Sequence, residues 1–222
     1  LKMKKYDEAE AVYKDALKLN SQSSEVFYNF GVLYSDQHKY TKAIIFYNKS
    51  LKISQSNKFV FNNLGVAFKE LGYYEKAKEN FNKAIALDNS FSEGKYNLGI
   101  TILLTNPNKT AWEYYELRKK INNERKKQLN YINIKKWDGS SLTNKILIIY
   151  SEQGIGDNVQ FARYIKLIKK ENTKIIFYTT KKLEFLFHKM IEVDEIIFNL
   201  HDVRRADYCI SIMSLPYIFR FN

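Results

Sequence analysis

Apolar residues recur every three or four positions through the first 120 residues and then appear in short unbroken runs, so the structural class changes part-way along the chain. Between Lys58 and Leu87, Phe61, Leu64, Val66 and Phe68 keep helical spacing. Gly72 interrupts the pattern, and Ala77, Phe81, Ala84 and Ile85 resume it. This predicts a hairpin of two helices over 58–70 and 74–87. A second hairpin is expected over 24–54, a single helix over 1–20 as the latter half of a hairpin, and a fourth unit over 92–120. Pro107 cannot continue a helix, so it fixes the turn of the fourth unit within Thr105–Asn108.

From Lys145 the period changes. Ile146 to Tyr150 is a continuous, largely branched-apolar run, as in a strand buried on both faces. A glycine-containing loop, Glu152 to Asn158, leads into a helix predicted over Val159–Lys170. Strands are then predicted at Lys174–Thr179, Val193–Phe198 and Tyr208–Met213, with a helix over Lys182–Met190. Such alternation implies a parallel sheet with right-handed crossovers. The expected architecture is an all-helical array over 1–120, a basic connector or cap over 121–144, and a truncated α/β domain over 145–222. The last strand of that domain is expected to be an open edge.

The helical part repeats with a step of 34 residues. Asn29, Asn63 and Asn97 each stand two residues before a glycine, and Ala9, Ala43, Ala77 and Ala111 keep the same step. So do Tyr13, Tyr47, Phe81 and Tyr115. Small residues let paired helices approach, and the aromatics fill the space between hairpins. A 34-residue period with these phases resembles the tetratricopeptide (TPR) helical-hairpin array.

Composition narrows the functional classes. Apolar residues make up 45% of the 222, enough for a core, and one cysteine excludes a disulfide framework or cysteine-rich metal site. His38, His188 and His201 have no metal-ligand spacing. The net charge is +12, and Arg118–Lys136 holds eight basic residues against Glu124 alone. No aromatic-spaced recognition motif accompanies that run, so no nucleic-acid partner is expected. No apolar run reaches the roughly 18 residues of a membrane span. A cytoplasmic location is the expectation, and the chain reads as an excerpt of a longer protein.

The loop Glu152-Gln153-Gly154-Ile155-Gly156-Asp157-Asn158 joins the first long strand to a helix, where open α/β sheets place ligands. Its glycines allow close approach of a ligand to backbone N–H groups, and the helix N-terminus suits an anion. A dinucleotide fingerprint fails because Val159 stands at the third glycine position, and a P-loop fails for want of Gly-Lys-Ser/Thr. The plain reading makes Asp157 a helix N-cap worth about 1 kcal/mol.

Beyond single motifs, the order of blocks is informative. Trp112–Arg118, Trp137-Asp138-Gly139, Glu152–Asp157, Gln160-Phe161-Ala162-Arg163-Tyr164 and Ser214-Leu215-Pro216 resemble, in that order, the bacterial TPR-containing glycosyltransferases. That family joins a helical array to a two-domain GT-B unit related to heptosyltransferases and to the protein O-linked N-acetylglucosamine transferases. The resemblance implies that Asp157 is a general base deprotonating an acceptor hydroxyl. Glu152, Gln153, Gly154, Gly156 and Asn158 would shape the acceptor side. Arg163, on the helix after the loop, has three readings: facing a phosphate, pairing with an acid such as Glu152, or ordinary packing on the helix surface. The resemblance covers the first of these only as a binding role. It further implies a nucleotide-sugar donor as substrate, no metal or cofactor, and a glycan or protein acceptor. Asn29, Asn63 and Asn97 would hold an extended peptide on the concave face through amides that both donate and accept; the alternative is that they bond within the array.

In that fold the donor is held mostly by a C-terminal domain with no counterpart in these residues, so the chain is expected to be inactive alone. The alternative is a non-catalytic TPR interaction scaffold with a degenerate α/β tail.

Overall fold

The structure, a computed structural model, describes residues 2–121, 134–152, 154–168, 172–185, 187, 193–199, 203 and 205–221. It divides into two compact units, Leu1–Ile121 and Asn122–Asn222.

The first unit is an array of antiparallel helices: α1 (Lys2–Leu19), α2 (Ser24–Asp36), α3 (Tyr40–Ile53), α4 (Lys58–Glu70), α5 (Tyr74–Leu87), α6 (Ser92–Thr105), α7 (Lys109–Tyr115) and α8 (Arg118–Ile121). α2 pairs with α3, α4 with α5 and α6 with α7, and the hairpins stack in sequence order. The first helix of a hairpin, the A helix, starts on a side-chain cap where the sequence supplies one. Ser23 accepts from the Val26 N–H, and Asn57 accepts from the Phe59 and Val60 N–H groups.

The A helices α2 and α4 stop in the same way, on a left-handed residue at matching phase, His38 (φ 57°) and Gly72 (φ 79°). In each case the next N–H reaches back over the last turn, from Lys39 to Tyr34 O (2.8 Å) and from Tyr73 to Phe68 O (2.9 Å). At the third step Asn106 has φ −142° instead, and Pro107 follows it. Ala43, Ala77 and Ala111 are fully buried, as are Phe81 and, within 1%, Tyr47. Around them Phe30, Leu33, Tyr34, Val60 and Leu64 form one cluster, and Ala77, Phe81 and Leu98 another.

The fourth unit departs from the predicted phase. α7 is only seven residues long, and the Gly99 position faces the Tyr114 side chain and the backbone of Ala111 and Tyr115 rather than the Tyr115 ring. Tyr115 stacks instead on Tyr96, with ring centroids 5.9 Å apart. Arg118, opening α8, is buried to 1% and donates to Glu116 (2.6 Å) and to the Tyr115 carbonyl. Burial alone would raise the Glu116 carboxyl, but Arg118 and Lys119 override it and hold its pKa at about 2.

Among the described residues the second unit forms a five-stranded, all-parallel sheet with spatial order β1-β5-β2-β3-β4. The strands are β1 (Lys135–Lys136), β2 (Ile146–Tyr150), β3 (Lys174–Tyr178), β4 (Glu195–Ile197) and β5 (Tyr208–Ser211). Helix α9 (Ile155–Ala162) follows β2, and α10 (Leu215–Phe221) follows β5 through a 3₁₀ turn at Ile212–Ser214. Leu147, Ile148 and Ile149 are fully buried, as the unbroken apolar run requires.

Two expectations are corrected here. The last strand is not an open edge: β5 inserts between β2 and β1, pairing Ile148 with Cys209 and Lys135 with Tyr208. The edges are the two-residue β1 and the three-residue β4, short enough to offer little template for further pairing. The basic stretch up to Lys136 is also not purely a connector, since its last two residues are a strand. The predicted helix over 182–190 begins as a 3₁₀ turn at Lys181–Leu183, and its later part lies mostly outside the described residues.

Candidate functional site

The A helices α2, α4 and α6 lie side by side, and the 34-residue step carries each phase across all three. Asn29, Asn63 and Asn97 are half-buried on that layer, alongside Val32, Val66 and Ile100 at a second phase. Two of the three asparagines are tied within the array. Asn63 Nδ2 donates to the Tyr28 hydroxyl (3.3 Å), and Asn97 Nδ2 donates to Asn62 Oδ1 (3.0 Å). Asn62, buried to 2%, donates in turn to Glu93 Oε1 (3.2 Å) and lies 3.5 Å from Asn63 Oδ1. A string of side-chain hydrogen bonds therefore crosses α2, α4 and α6.

Sequence reading singled out Asn63 and Asn97 but passed over Asn62, Tyr28 and Glu93, which complete the string. The signal was present, because Tyr28, Asn62 and Tyr96 keep the same 34-residue step one position earlier.

In the second unit the loop after β2 leaves the carboxyl end of the sheet beside the point where strand order reverses, between β2 and β5. Ser151 N–H still donates to Tyr178 O (3.0 Å), and Glu152 beyond it is half-buried. Gln153 lies outside the described residues.

Helix α9 starts at Ile155, four residues earlier than predicted, with Gly154 as its N-cap. Asp157 is consequently the third helical residue and not the cap. The early start has a local cause: Asn158, buried to 1%, donates its side-chain amide (2.8 Å) and its backbone N–H (3.4 Å) to Gly154 O. Asp157 adds a carboxylate in the first turn, where the helix dipole favours it.

Neither Gly154 nor Gly156 is demanded by φ or by packing. A Cβ at Gly156 meets nothing within 4 Å, and one at Gly154 meets only Asp157 Oδ2, at 4.0 Å. Arg163 does not join this group. It sits at the far end of α9, where its Nε donates to Gln160 O (2.8 Å) and its guanidinium lies 5.9 Å from the Tyr164 ring centroid.

A cleft of about 530 Å³ in the same unit is lined by Trp137, Leu142, Ile168, Ile218 and Phe219. Leu142 and Ile168 precede β2 and β3, so the cleft opens at the amino end of the sheet, opposite the glycine loop.

The helical unit carries TPR repeats. The tetratricopeptide-repeat family model matches residues 1–23, 24–57 and 60–91, leaving the irregular fourth unit outside. Several solved structures are similar to about half of the chain. A crystal structure of MamA is 25% identical, with 53% of this chain and 68% of that one covered at a TM-score of 0.48. PilF of Pseudomonas aeruginosa is 25% identical over 55% of this chain and 56% of its own, also at 0.48. MamA 41-end from Desulfovibrio magneticus RS-1 is 22% identical over 55% and 71%, again at 0.48. No curated protein matches the sequence. Among the described residues no helix is long and apolar enough to cross a membrane.

Proposed function

We propose that the chain is a protein-interaction scaffold whose A-helix layer receives an extended polypeptide segment. One observation carries this: amide and aliphatic phases run unbroken across three adjacent A helices, Asn29, Asn63 and Asn97 beside Val32, Val66 and Ile100. Half-buried apolar side chains supply contact area, and amide groups satisfy peptide N–H and C=O groups without regard to sequence. The ties of Asn63 and Asn97 assign these two a scaffold role as well, and leave Asn29 as the amide best placed for gripping. The test is fluorescence anisotropy with unstructured peptides against the parent chain and an Asn29→Ala/Ile100→Ser variant. At least about fivefold weaker binding at unchanged helicity supports the reading; equal affinity rejects it.

A second reading, the acceptor-side half of a TPR-linked GT-B glycosyltransferase, rests on the strand order β4-β3-β2-β5. This is the order of the first four strands of a doubly wound sheet, with a glycine loop beside the switch point. In it Asp157 is the general base, and Glu152, Gln153, Gly154, Gly156 and Asn158 border the acceptor. Arg163, at the other end of α9, fits that role poorly. Asp157→Asn in the full-length protein should then lower sugar transfer by about two to four orders of magnitude. Near-parental transfer returns Asp157 to a helix-terminus role.

A further inference from the structure

The amides on the A-helix layer can be oriented without ambiguity. The Glu93 carboxylate only accepts, so the NH₂ of Asn62 must face it. Asn62 Oδ1 then faces Asn97, which must donate, and the 3.5 Å approach of Asn62 Nδ2 to Asn63 Oδ1 turns the Asn63 NH₂ towards Tyr28. One glutamate thus fixes how all three amides are turned: Asn62 donates forward to Glu93 on α6, while Asn97 and Asn63 donate back, to α4 and α2. The second Glu93 oxygen and the Asn97 side-chain carbonyl accept no hydrogen bond among the described residues.

Charge differs between the A helices and their hairpin partners. Helices α2, α4 and α6 carry four carboxylates, Glu25, Asp36, Glu70 and Glu93, against three lysines, while α3 and α5 carry six lysines against two glutamates. All three A-helix lysines are engaged. Lys58 pairs with Asp88 (2.6 Å), Lys69 pairs with Glu70 (3.0 Å), and Lys95 lies over the Tyr114 ring. Glu25, Asp36 and Glu93 are exposed, and Phe59 stands between Glu25 and Glu93 at the same phase, 49% exposed. In a chain of net charge +12, this layer has surplus acceptors and carboxylates.

We propose that the occupant of the A-helix layer is an extended segment bearing lysine or arginine, whose cationic side chains bridge Glu25 and Glu93 while its apolar positions meet Phe59. The inference rests on the peptide-binding reading above and adds the chemistry of the partner. Charge complementarity at contact selects it, since the field of distant lysines is screened over about 8 Å at physiological salt.

The test uses the whole chain and one unstructured peptide in three versions, with lysine, glutamine or glutamate at the same spaced positions, titrated at physiological ionic strength. The lysine version should bind about tenfold more tightly than the glutamine version, and the glutamate version more weakly than either. In the Glu25→Gln/Glu93→Gln variant the ratio of lysine-peptide to glutamine-peptide affinity should fall to about twofold or less. The amide that replaces the Glu93 carboxylate still offers an oxygen to the Asn62 NH₂, so the string is preserved. Equal binding of lysine and glutamine peptides, or a preference that survives the double substitution, overturns the charge assignment and leaves the scaffold reading standing. If no version binds, both fall.

Discussion

Gly31 is a glycine because the ring of Tyr47 occupies the space its Cβ would need. One repeat on, a Cβ at Gly65 would stand 2.5 Å from the Phe81 ring, so this close approach is the contact that the 34-residue step repeats. Gly31→Ala should therefore destabilise the array by about 1–2 kcal/mol, because overpacking against a side chain only 1% exposed outweighs the gain in helix propensity. Thermal unfolding followed by far-ultraviolet circular dichroism checks it. In a Tyr47→Leu background the alanine should become neutral or stabilising, since the ring is gone. Gly72→Ala should also destabilise, but through its φ of 79°, and its cost should not change with Tyr47→Leu.

The asparagines should separate into two kinds. Asn62→Ala removes the hub of the string, leaving a Glu93 oxygen and an Asn97 N–H without their partner, and should cost about 2 kcal/mol. Asn29→Ala leaves that string intact and should stay within about 0.5 kcal/mol of the parent in chemical denaturation. Equal costs at the two positions would refute the string as the source of the effect.

The helical half was legible because propensity, capping and period agree: Ser23, Asn57 and Gly72 mark helix ends, and the 34-residue step places the core. The α/β half was legible in its strands and less so in its connections. Two lysines carry no apolar signal, so β1 is visible only through its pairing with Tyr208 and Cys209. The position of β5 is a long-range choice that local pattern does not encode. The early start of α9 follows from Asn158 bonding to Gly154 O, a side-chain to backbone contact that outweighs the poor helix propensity of Ile-Gly-Asp-Asn. The same contact moves Asp157 from cap to first turn. In the array, the fourth unit misled because Tyr115 keeps phase while α7 ends beneath it.

Acid should loosen the end of the array before its middle. Glu116, 15% exposed, has its folded pKa held at about 2 against an ordinary value of 4.5. A depressed carboxylate contributes stability in full above the unfolded value, and loses it as pH falls from about 4.5 towards 2. The contribution at neutral pH is at most about 3 kcal/mol. Glu116→Gln should remove most of the acid sensitivity of α7 and α8, read as amide exchange between about pH 5 and pH 2.5. An unchanged pH profile would show that Arg118 is held by other contacts.

The strands entering from the chain's later half are set by a pair of aspartates. Asp207, just before β5, accepts from the Ile146 N–H (2.8 Å) and returns its own N–H to Ile146 O (2.9 Å). Asp194, just before β4, makes the same exchange with Ile175, at 2.6 and 3.0 Å. The Ile146 N–H, with Lys145 and Arg205 nearby, holds the Asp207 carboxyl below its ordinary range. Each reciprocal pair fixes register at the amino end of its strand, where a slip of one residue would turn every side chain to the wrong face. Asp207→Ala should speed exchange of the Ile146 amide at least about tenfold, equivalent to about 1.4 kcal/mol of local opening. The Ile175 amide, held by Asp194, should keep its parental rate. Asp207→Asn, which still offers an oxygen, should restore most of the protection at Ile146. Equal acceleration at Ile146 and Ile175 in Asp207→Ala would mean that the substitution opens the sheet as a whole, and that the two clamps are not independent.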